Sequence, residues 1–289
     1  MAYTTQAEIG AVVSLCRYPV KSMIGEELQT AHVTDHGLLG DRAYALVDSA
    51  DGKVATAKNP GKWPTLFACH ATFLDSPRTG APLPPVRITL PDGTAVTSLQ
   101  CDRNQVLSTA LMRQVTLVAT TCGQVTGVPP LLGASWMAKS EEYWPDLEGL
   151  DHRDTVTDFA LPTGTFFDGA TVHLLTTATL NRLRDLYPQG RFEIPRFRPN
   201  LVVEATDEKS GSAEQGWIGH TLAIGEEVGL RITGPCGRCV MTTLAQGNLP
   251  KDSGILRAAV QHTQGHVGVY AEVVQGGTIR RGDHVKVRT

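Results

Sequence analysis

The chain has no run of about twenty apolar residues, which a membrane-spanning helix requires. Its N-terminal stretch contains neither the basic region nor the apolar core of a secretory signal. Only 6 cysteines occur in 289 residues, too few for the disulfide framework of a small secreted protein. These absences predict a cytoplasmic protein with reduced thiols and no membrane partner.

The sequence also lacks an excess of positive charge. With 26 Lys+Arg and 29 Asp+Glu, its formal net charge is −3 at pH 7, which argues against a nucleic-acid-binding protein. Hydrophobic residues make up 41% and charged residues 19%, a balance typical of folded globular proteins and unlike that of disordered chains. The length allows one large domain or two ordinary ones.

Long helical patterns are scarce, and 29 glycines and 17 prolines indicate many turns. Short β-prone runs flank an Asp-Gly pair at residues 51–52, which predicts a hairpin. Leu180, Leu183 and Leu186 have helical spacing after a threonine-rich cap, which predicts a helix that stops at Pro188. The expected fold class is mostly β with some α, in a barrel-like arrangement. Further strands are predicted over residues 11–20, 63–73, 172–175, 200–204, 221–225 and 228–233, with a second helix over 254–261 and a closing hairpin over 267–287.

Two other stretches have no regular pattern. Residues 123–133 are rich in Gly and Pro and are predicted to connect two halves of the chain. Residues 141–146 are acidic and aromatic and are predicted to form a mobile surface segment. Histidines without metal-ligand spacing are expected to be surface or core residues: His36, His152, His173, His262 and His266.

The densest group of reactive side chains lies in residues 234–243, GPCGRCVMTT, where Cys236 and Cys239 are three positions apart. A zinc site would need further paired ligands, but the other cysteines are isolated. A thioredoxin-like dithiol normally opens a helix, whereas residues 240–243 are β-prone. Two interpretations remain alongside these: a turn with two small structural residues, or one thiolate on a soft transition metal with Arg238 beside it to hold an anion.

Basic side chains form a second group before a predicted strand. Arg196 and Arg198 alternate, so they would share a face in an extended chain. Guanidinium groups bind phosphate or carboxylate with two parallel hydrogen bonds, which favours an anion site. Salt bridges to Glu193 and Glu204 at a solvated edge are the structural alternative.

A third group follows the first predicted strand. Lys21 and Ser22 come after the strand end, where loops commonly carry function, and Arg42 opens a later strand. Lys, Ser and Arg side chains together can hold an anionic group. A plain turn with a surface lysine is the alternative.

Taken together, these segments resemble the MOSC family, named for the C-terminal domain of molybdenum cofactor sulfurase. The resemblance rests on YPVKS at residues 18–22, GDR at 40–42, FRPN at 197–200, RCVMTT at 238–243 and GTIRRGDHV at 277–285. It covers nearly the whole chain and is closer to the two-part members, which include the mitochondrial amidoxime-reducing component and its bacterial relatives. It implies an N-terminal MOSC β-barrel domain over residues 1–125 and a MOSC domain over 126–289, with the cofactor at their interface.

The resemblance implies a molybdenum cofactor, a pyranopterin dithiolene that ends in a phosphate, and no pyridoxal phosphate. By this analogy Cys239 is the protein thiolate on molybdenum and the catalytic residue, while Cys236 has no metal role. The cofactor-binding residues implied are Lys21, Ser22, Arg42, Arg198 and Asn200, with weaker support for Arg238, Thr56 and Thr177.

The expected activity is reduction of N-hydroxylated compounds, such as amidoximes, hydroxamic acids or N-hydroxylated bases. The sequence shows no C-x4-C-x2-C run of the iron–sulfur module that some relatives carry and no N-terminal membrane anchor. We therefore expect a soluble protein served by separate electron-transfer proteins, and a monomer is the default expectation for its oligomeric state. Sulfur transfer or carbon–sulfur bond cleavage through a persulfide or nucleophile at Cys239 is one alternative. A non-catalytic carrier or storage protein for the cofactor is another.

Overall fold

The structure of the protein is a computed structural model that describes residues 7–120, 128, 138–146, 154–206 and 212–288. Apart from Val128, the connection predicted at residues 123–133 lies outside these ranges, as do Cys122 and His152. No helix within the described ranges is long and apolar enough to cross a membrane.

The N-terminal part of the described chain consists mainly of short strands. Its elements are β1 (Ala7–Arg17), β2 (Glu26–Leu28), β3 (Thr30–Thr34), β4 (Gly37–Leu38), β5 (Tyr44–Asp48), β6 (His70–Phe73), β7 (Val86–Thr89), β8 (Ala95–Thr97), α1 (Arg103–Leu111) and β9 (Val115–Ala119). Those of the C-terminal part are β10 (Lys139–Trp144), β11 (Thr155–Ala160), β12 (Val172–Thr176), α2 (Thr177–Leu186), α3 (Ile194–Phe197), β13 (Leu201–Ala205), β14 (Thr221–Ile224), β15 (Val228–Gly237), α4 (Gly254–Thr263), β16 (His266–Gln275), β17 (Gly277–Arg280) and β18 (His284–Arg288).

Seven strands close into a β-barrel in the order β13, β12, β16, β15, β14, β18 and β1, and β1 pairs back onto β13. Alternate strand residues enter one core, as Val172 and Leu174 of β12 and Leu201 and Val203 of β13 do. The closed ring satisfies both hydrogen-bonding sides of these strands. The predicted mostly β, barrel-like fold is confirmed.

A second core lies in the N-terminal part, where β5 pairs with β9, and β6, β7 and β8 form a small sheet. Leu46, Ile88 and Leu107 are buried in it. The chain passes from the barrel core at Leu15 to this second core at Val20. The residues around this crossing therefore lie at the boundary between the two cores, and the candidate site is located there.

The predicted closing hairpin is wrong. β17 pairs with β3, with Ile279 opposite Ala31, whereas β18 pairs with β14 and β1. The physical reason is that β16 already has β12 and β15 on its two sides, so it has no free edge for β17.

The segment at residues 141–146 was predicted to be mobile, but its residues up to Trp144 belong to the strand β10, which pairs with β11. Lys53 and Lys62 form ion pairs with the carboxylate of Glu141 and fix this strand to the N-terminal part.

The strand predicted over 63–73 is confined to β6 and follows a short 3-10 turn at Leu66–Ala68. The predicted helix after Thr176 is confirmed as α2, whose Thr179 N–H donates to the Thr176 hydroxyl at 3.3 Å.

Candidate functional site

A cavity of about 390 Å³ lies where the loop after β1, the entry to β13 and the end of β15 meet. Its wall brings together these predicted site residues: Lys21, Ser22, Arg42, Arg198, Asn200, Arg238 and Cys239. Thr56 is not among the lining residues. Its hydroxyl accepts a hydrogen bond from the Lys58 N–H at 3.1 Å, so it shapes the turn that carries Lys58.

Lys21 and Asp168 form an ion pair in the wall, with Nζ 2.5 Å from Oδ1. Lys21 also donates to the carbonyl of Phe166 at 2.8 Å, and Lys58 Nζ lies 3.4 Å from the second oxygen of Asp168. Burial lowers the pKa of Lys21. The Asp168 side chain is 37% exposed. Its partial desolvation would raise the pKa of Asp168, but the ammonium groups of Lys21 and Lys58 outweigh this effect and lower that pKa. Asp168 is therefore an ionised bridge between two lysines.

This bridge predicts a pH dependence of folding. Because the folded-state pKa of Asp168 is lowered, its contribution to stability is present at neutral pH and is lost as pH falls below about 4, where the unfolded chain binds the proton first. Asp168→Asn removes this contribution, so the stability difference from the wild type should shrink between pH 7 and pH 3. Urea unfolding at both pH values measures it. Asp75→Asn, at an exposed position, is the control, and a pH-independent difference for Asp168→Asn would contradict the bridge.

Arg42 and Arg198 both lie against the ring of Tyr18, with their guanidinium carbons 4.6 Å and 4.2 Å from its centroid. Both have left-handed backbone conformations, with φ of +48° and +53°. Burial and the neighbouring charge of Arg42 lower the pKa of Arg198 to about 10. Two like charges held close together, with Arg198 buried and Arg42 half-buried, form a site suited to an anion.

Asn200 lines the same wall, but its amide is engaged inside the protein. Its Oδ1 accepts from the His173 N–H at 3.1 Å, and its Nδ2 donates to Asp41 at 2.9 Å and to the carbonyl of Cys16 at 3.3 Å. The Asp41 carboxylate also pairs with Arg42. Asn200 therefore positions Arg42 through Asp41.

Arg196 does not share a face with Arg198 in the way an extended chain would place it. Arg196 belongs to the one-turn helix α3, which ends at Phe197, and Arg198 follows in the left-handed conformation. The fully buried guanidinium of Arg196 donates to four backbone carbonyl oxygens. They belong to Arg191 (2.7 Å), Thr242 (3.1 Å), Leu244 (3.3 Å) and Pro250 (2.8 Å). Arg196 therefore holds the segment that follows Cys239, and neither of the predicted salt bridges to Glu193 and Glu204 involves it.

Cys239 opens a 3-10 turn over Val240–Thr243, so the expectation that these residues continue as β structure is wrong. The Thr242 and Thr243 hydroxyls donate back to the carbonyls of Cys239 at 3.0 Å and Val240 at 2.7 Å, which favours the turn over a strand. Burial raises the pKa of Cys239, although Lys58 opposes this effect. The thiol is therefore neutral until a cation draws off its proton.

Arg238 connects the two cysteine positions to the rest of the wall. Its Nη1 donates to Cys236 Sγ at 2.8 Å and its Nη2 to the Phe197 carbonyl at 2.8 Å. Although burial opposes it, the nearby Cys236 raises the pKa of Arg238. Sequence patterns did not indicate Lys58, Asp168, Tyr270 or a cavity role for His173, all of which line the wall.

Across the described ranges, no three His, Cys, Asp or Glu side chains lie close enough together to hold a metal ion by themselves. The zinc interpretation of Cys236 and Cys239 therefore has no ligand set within those ranges. A metal at Cys239 would need donors from a cofactor.

Two family models match the sequence. The MOSC N-terminal beta barrel domain matches residues 9–127, and the MOSC domain matches residues 162–286. The chain therefore belongs to the MOSC family. MOSC domains are associated with binding of the molybdenum cofactor, and MOSC proteins are often enzymes that use it. The division into domains at residues 125 and 126 stays a prediction.

Three solved structures resemble the chain at low identity. The YuaD protein from Bacillus subtilis is 10% identical over 98% of this chain and 97% of that chain, with a TM-score of 0.45. YiiM from Geobacillus stearothermophilus is 16% identical over 41% of this chain and 54% of that chain, with a TM-score of 0.32. YiiM from Escherichia coli is 13% identical over 44% and 57%, with a TM-score of 0.31. No curated protein matches the chain.

Proposed function

We propose that the protein is a molybdenum-cofactor-dependent reductase that removes oxygen from N-hydroxylated compounds of the amidoxime and hydroxylamine type. The supporting observation is that Cys239 meets Lys21, Arg42 and Arg198 around one cavity in a chain of the MOSC family. The reaction consumes two electrons and two protons, breaks the N–O bond, and yields the reduced nitrogen compound and water.

The donor set of the cavity fits a cofactor with a phosphate tail and a metal that accepts sulfur. Apart from Arg196, whose guanidinium is bonded to backbone carbonyls, five Lys and Arg side chains of the described wall accompany two carboxylates, those of Glu142 and Asp168. The Nε of Arg238 is buried and has no hydrogen-bond partner, which leaves a donor for an anion. Cys239 supplies a soft anionic sulfur once deprotonated.

When bound, the cofactor would supply the two-electron redox chemistry that takes up the substrate oxygen. Arg42 and Arg198, with Lys21 nearby, would hold its phosphate. Burial would lower the pKa of Lys58, but Asp168 and Cys239 raise it, so Lys58 keeps its proton at Nζ. That fixed positive charge favours the Cys239 thiolate, which a metal requires.

Aromatic side chains form another part of the wall, where a planar substrate would pack and water would be excluded. They are Tyr143, Trp144, Phe166 and Phe167. We further propose that the protein acts as a cytoplasmic monomer, that separate electron-transfer proteins supply its electrons, and that neither membrane nor nucleic acid is a partner.

Protein expressed in a host that makes the cofactor is expected to contain stoichiometric molybdenum and to release an oxidised, fluorescent pterin. It should reduce an aryl amidoxime to the amidine with a reduced viologen dye, but not with a nicotinamide cofactor alone. Metal analysis and product chromatography measure both. Protein that contains the cofactor but reduces no N-hydroxylated substrate would contradict the proposed reductase activity and indicate a carrier or storage protein.

Sulfur transfer is the second candidate, with Cys239 carrying a persulfide. The raised pKa of Cys239 favours the thiol over the nucleophilic thiolate, which weakens this candidate. Protein without molybdenum, together with a persulfide trapped on Cys239, would favour it over the reductase.

A further inference from the structure

Cys236 lies in the cavity wall, 2% exposed, and has no part in the proposed reductase chemistry. Arg238 Nη1 donates to its sulfur at 2.8 Å, and the side chains of His173 and Tyr270 lie near the same sulfur in the cavity wall. His173 belongs to β12 and Tyr270 to β16, whereas Cys236 itself lies near the end of β15. Three polar groups brought to one sulfur from separate parts of the barrel form a setting suited to a negatively charged sulfur.

The position of the His173 ring depends on Gly268. Gly268 has a φ of +82°, and a Cβ atom there would lie 2.3 Å from His173 Nε2, so only glycine leaves room for the ring. The same Nε2 lies 3.3 Å from the carbonyl oxygen of Val267, which orients the ring. The backbone of β16 therefore holds the imidazole in place beside Cys236.

Cys236 differs from other described cysteines. Burial raises the pKa of Cys16, Cys69 and Cys239, which keeps their thiols neutral. Burial would do the same to Cys236, but Arg238 and His173 outweigh it and lower that pKa. The thiolate is the form of cysteine that reacts with oxidants, and the cavity gives a small oxidant access to it.

We propose that Cys236 is a redox modification site at which hydrogen peroxide converts the sulfur to a sulfenic acid. The thiolate attacks one peroxide oxygen, so an S–O bond forms as the O–O bond breaks. The sulfur loses two electrons to the peroxide, and the departing hydroxide takes a proton from solvent and leaves as water. Because the sulfenic acid is neutral, Arg238 loses its anionic partner in the cavity wall. Any effect of this charge loss on cofactor binding rests on the proposed function, whereas the chemistry at Cys236 does not.

The test treats the reduced, full-length protein with hydrogen peroxide in the presence of dimedone, which traps sulfenic acids, and maps the adducts by mass spectrometry. Trypsin cuts after Arg238, so Cys236 falls in the peptide 232–238 and Cys239 in the peptide 239–251. We expect the adduct on 232–238 to form faster than on 239–251 by about tenfold or more. His173→Phe should slow labelling of Cys236 by about tenfold, because the ring remains but its nitrogen atoms are lost.

His220→Phe, at an exposed position, is the matched control and should label like the wild type. An adduct that is absent from 232–238, or equally strong on 239–251, would overturn the proposal, as would unchanged labelling in His173→Phe. The readout requires neither molybdenum nor turnover. A failure of the reductase proposal therefore leaves the labelling result intact, and a failure of labelling leaves the reductase proposal intact.

Discussion

Replacing Cys239 with alanine is expected to abolish reduction of N-hydroxylated substrates while the protein stays folded. The side chain of Cys239 makes no capping hydrogen bond to the turn it opens, so removal of its sulfur costs the turn little. The same sulfur is the proposed protein ligand of molybdenum. Turnover should therefore fall by about a thousandfold or more, together with the molybdenum content. Viologen-driven amidoxime reduction and metal analysis of the purified variant measure the two losses.

The exposed Cys101 supplies the control, because it is not among the residues that line the cavity, so Cys101→Ala should leave turnover and molybdenum unchanged. Circular dichroism and the thermal midpoint establish that both variants are folded. A folded Cys239→Ala protein with wild-type turnover would remove the metal-ligand role from Cys239.

Local patterns predicted the fold where local forces decide it. The threonine cap and leucine spacing of α2 are contained within a dozen residues, and the structure reproduces them. The helix α1 was not predicted, because it buries few side chains and its apolar pattern is weak. The pairing of β17 with β3 depends on which edges the closed barrel leaves free, and no pattern within residues 267–287 contains that information.

The residues of the candidate site were likewise predictable from the sequence only where a local motif marks them. Lys21, Arg42, Arg198 and Cys239 stand in short motifs at strand ends, and the structure brings them to one cavity. Lys58 and Asp168 have no such motif, since each acquires its setting from a partner far along the chain. Arg196 and Arg198 show why spacing alone misleads. Although they are two residues apart in sequence, they have different bonding partners, because Arg196 belongs to α3 and Arg198 follows it in the left-handed conformation.

Arg196→Met is expected to lower the free energy of unfolding by about 4 kcal/mol, the largest stability effect we predict for a single side chain. Methionine retains much of the buried aliphatic volume but donates no hydrogen bond. Four carbonyl oxygens, three of them in the chain after Cys239, would lose their donor inside the protein. Urea unfolding followed by circular dichroism at pH 7 measures the loss.

Arg182→Met, on the exposed face of α2, is the matched control and should change stability by no more than about 0.5 kcal/mol. Arg196→Lys separates charge from geometry. It keeps the positive charge, but one ammonium group cannot replace the planar guanidinium that reaches four carbonyls, so most of the loss should persist. If lysine restored wild-type stability, charge alone would hold the segment after Cys239. If Arg196→Met were as stable as Arg182→Met, that segment would be held by its own turn and by the packing of Val240 and Met241.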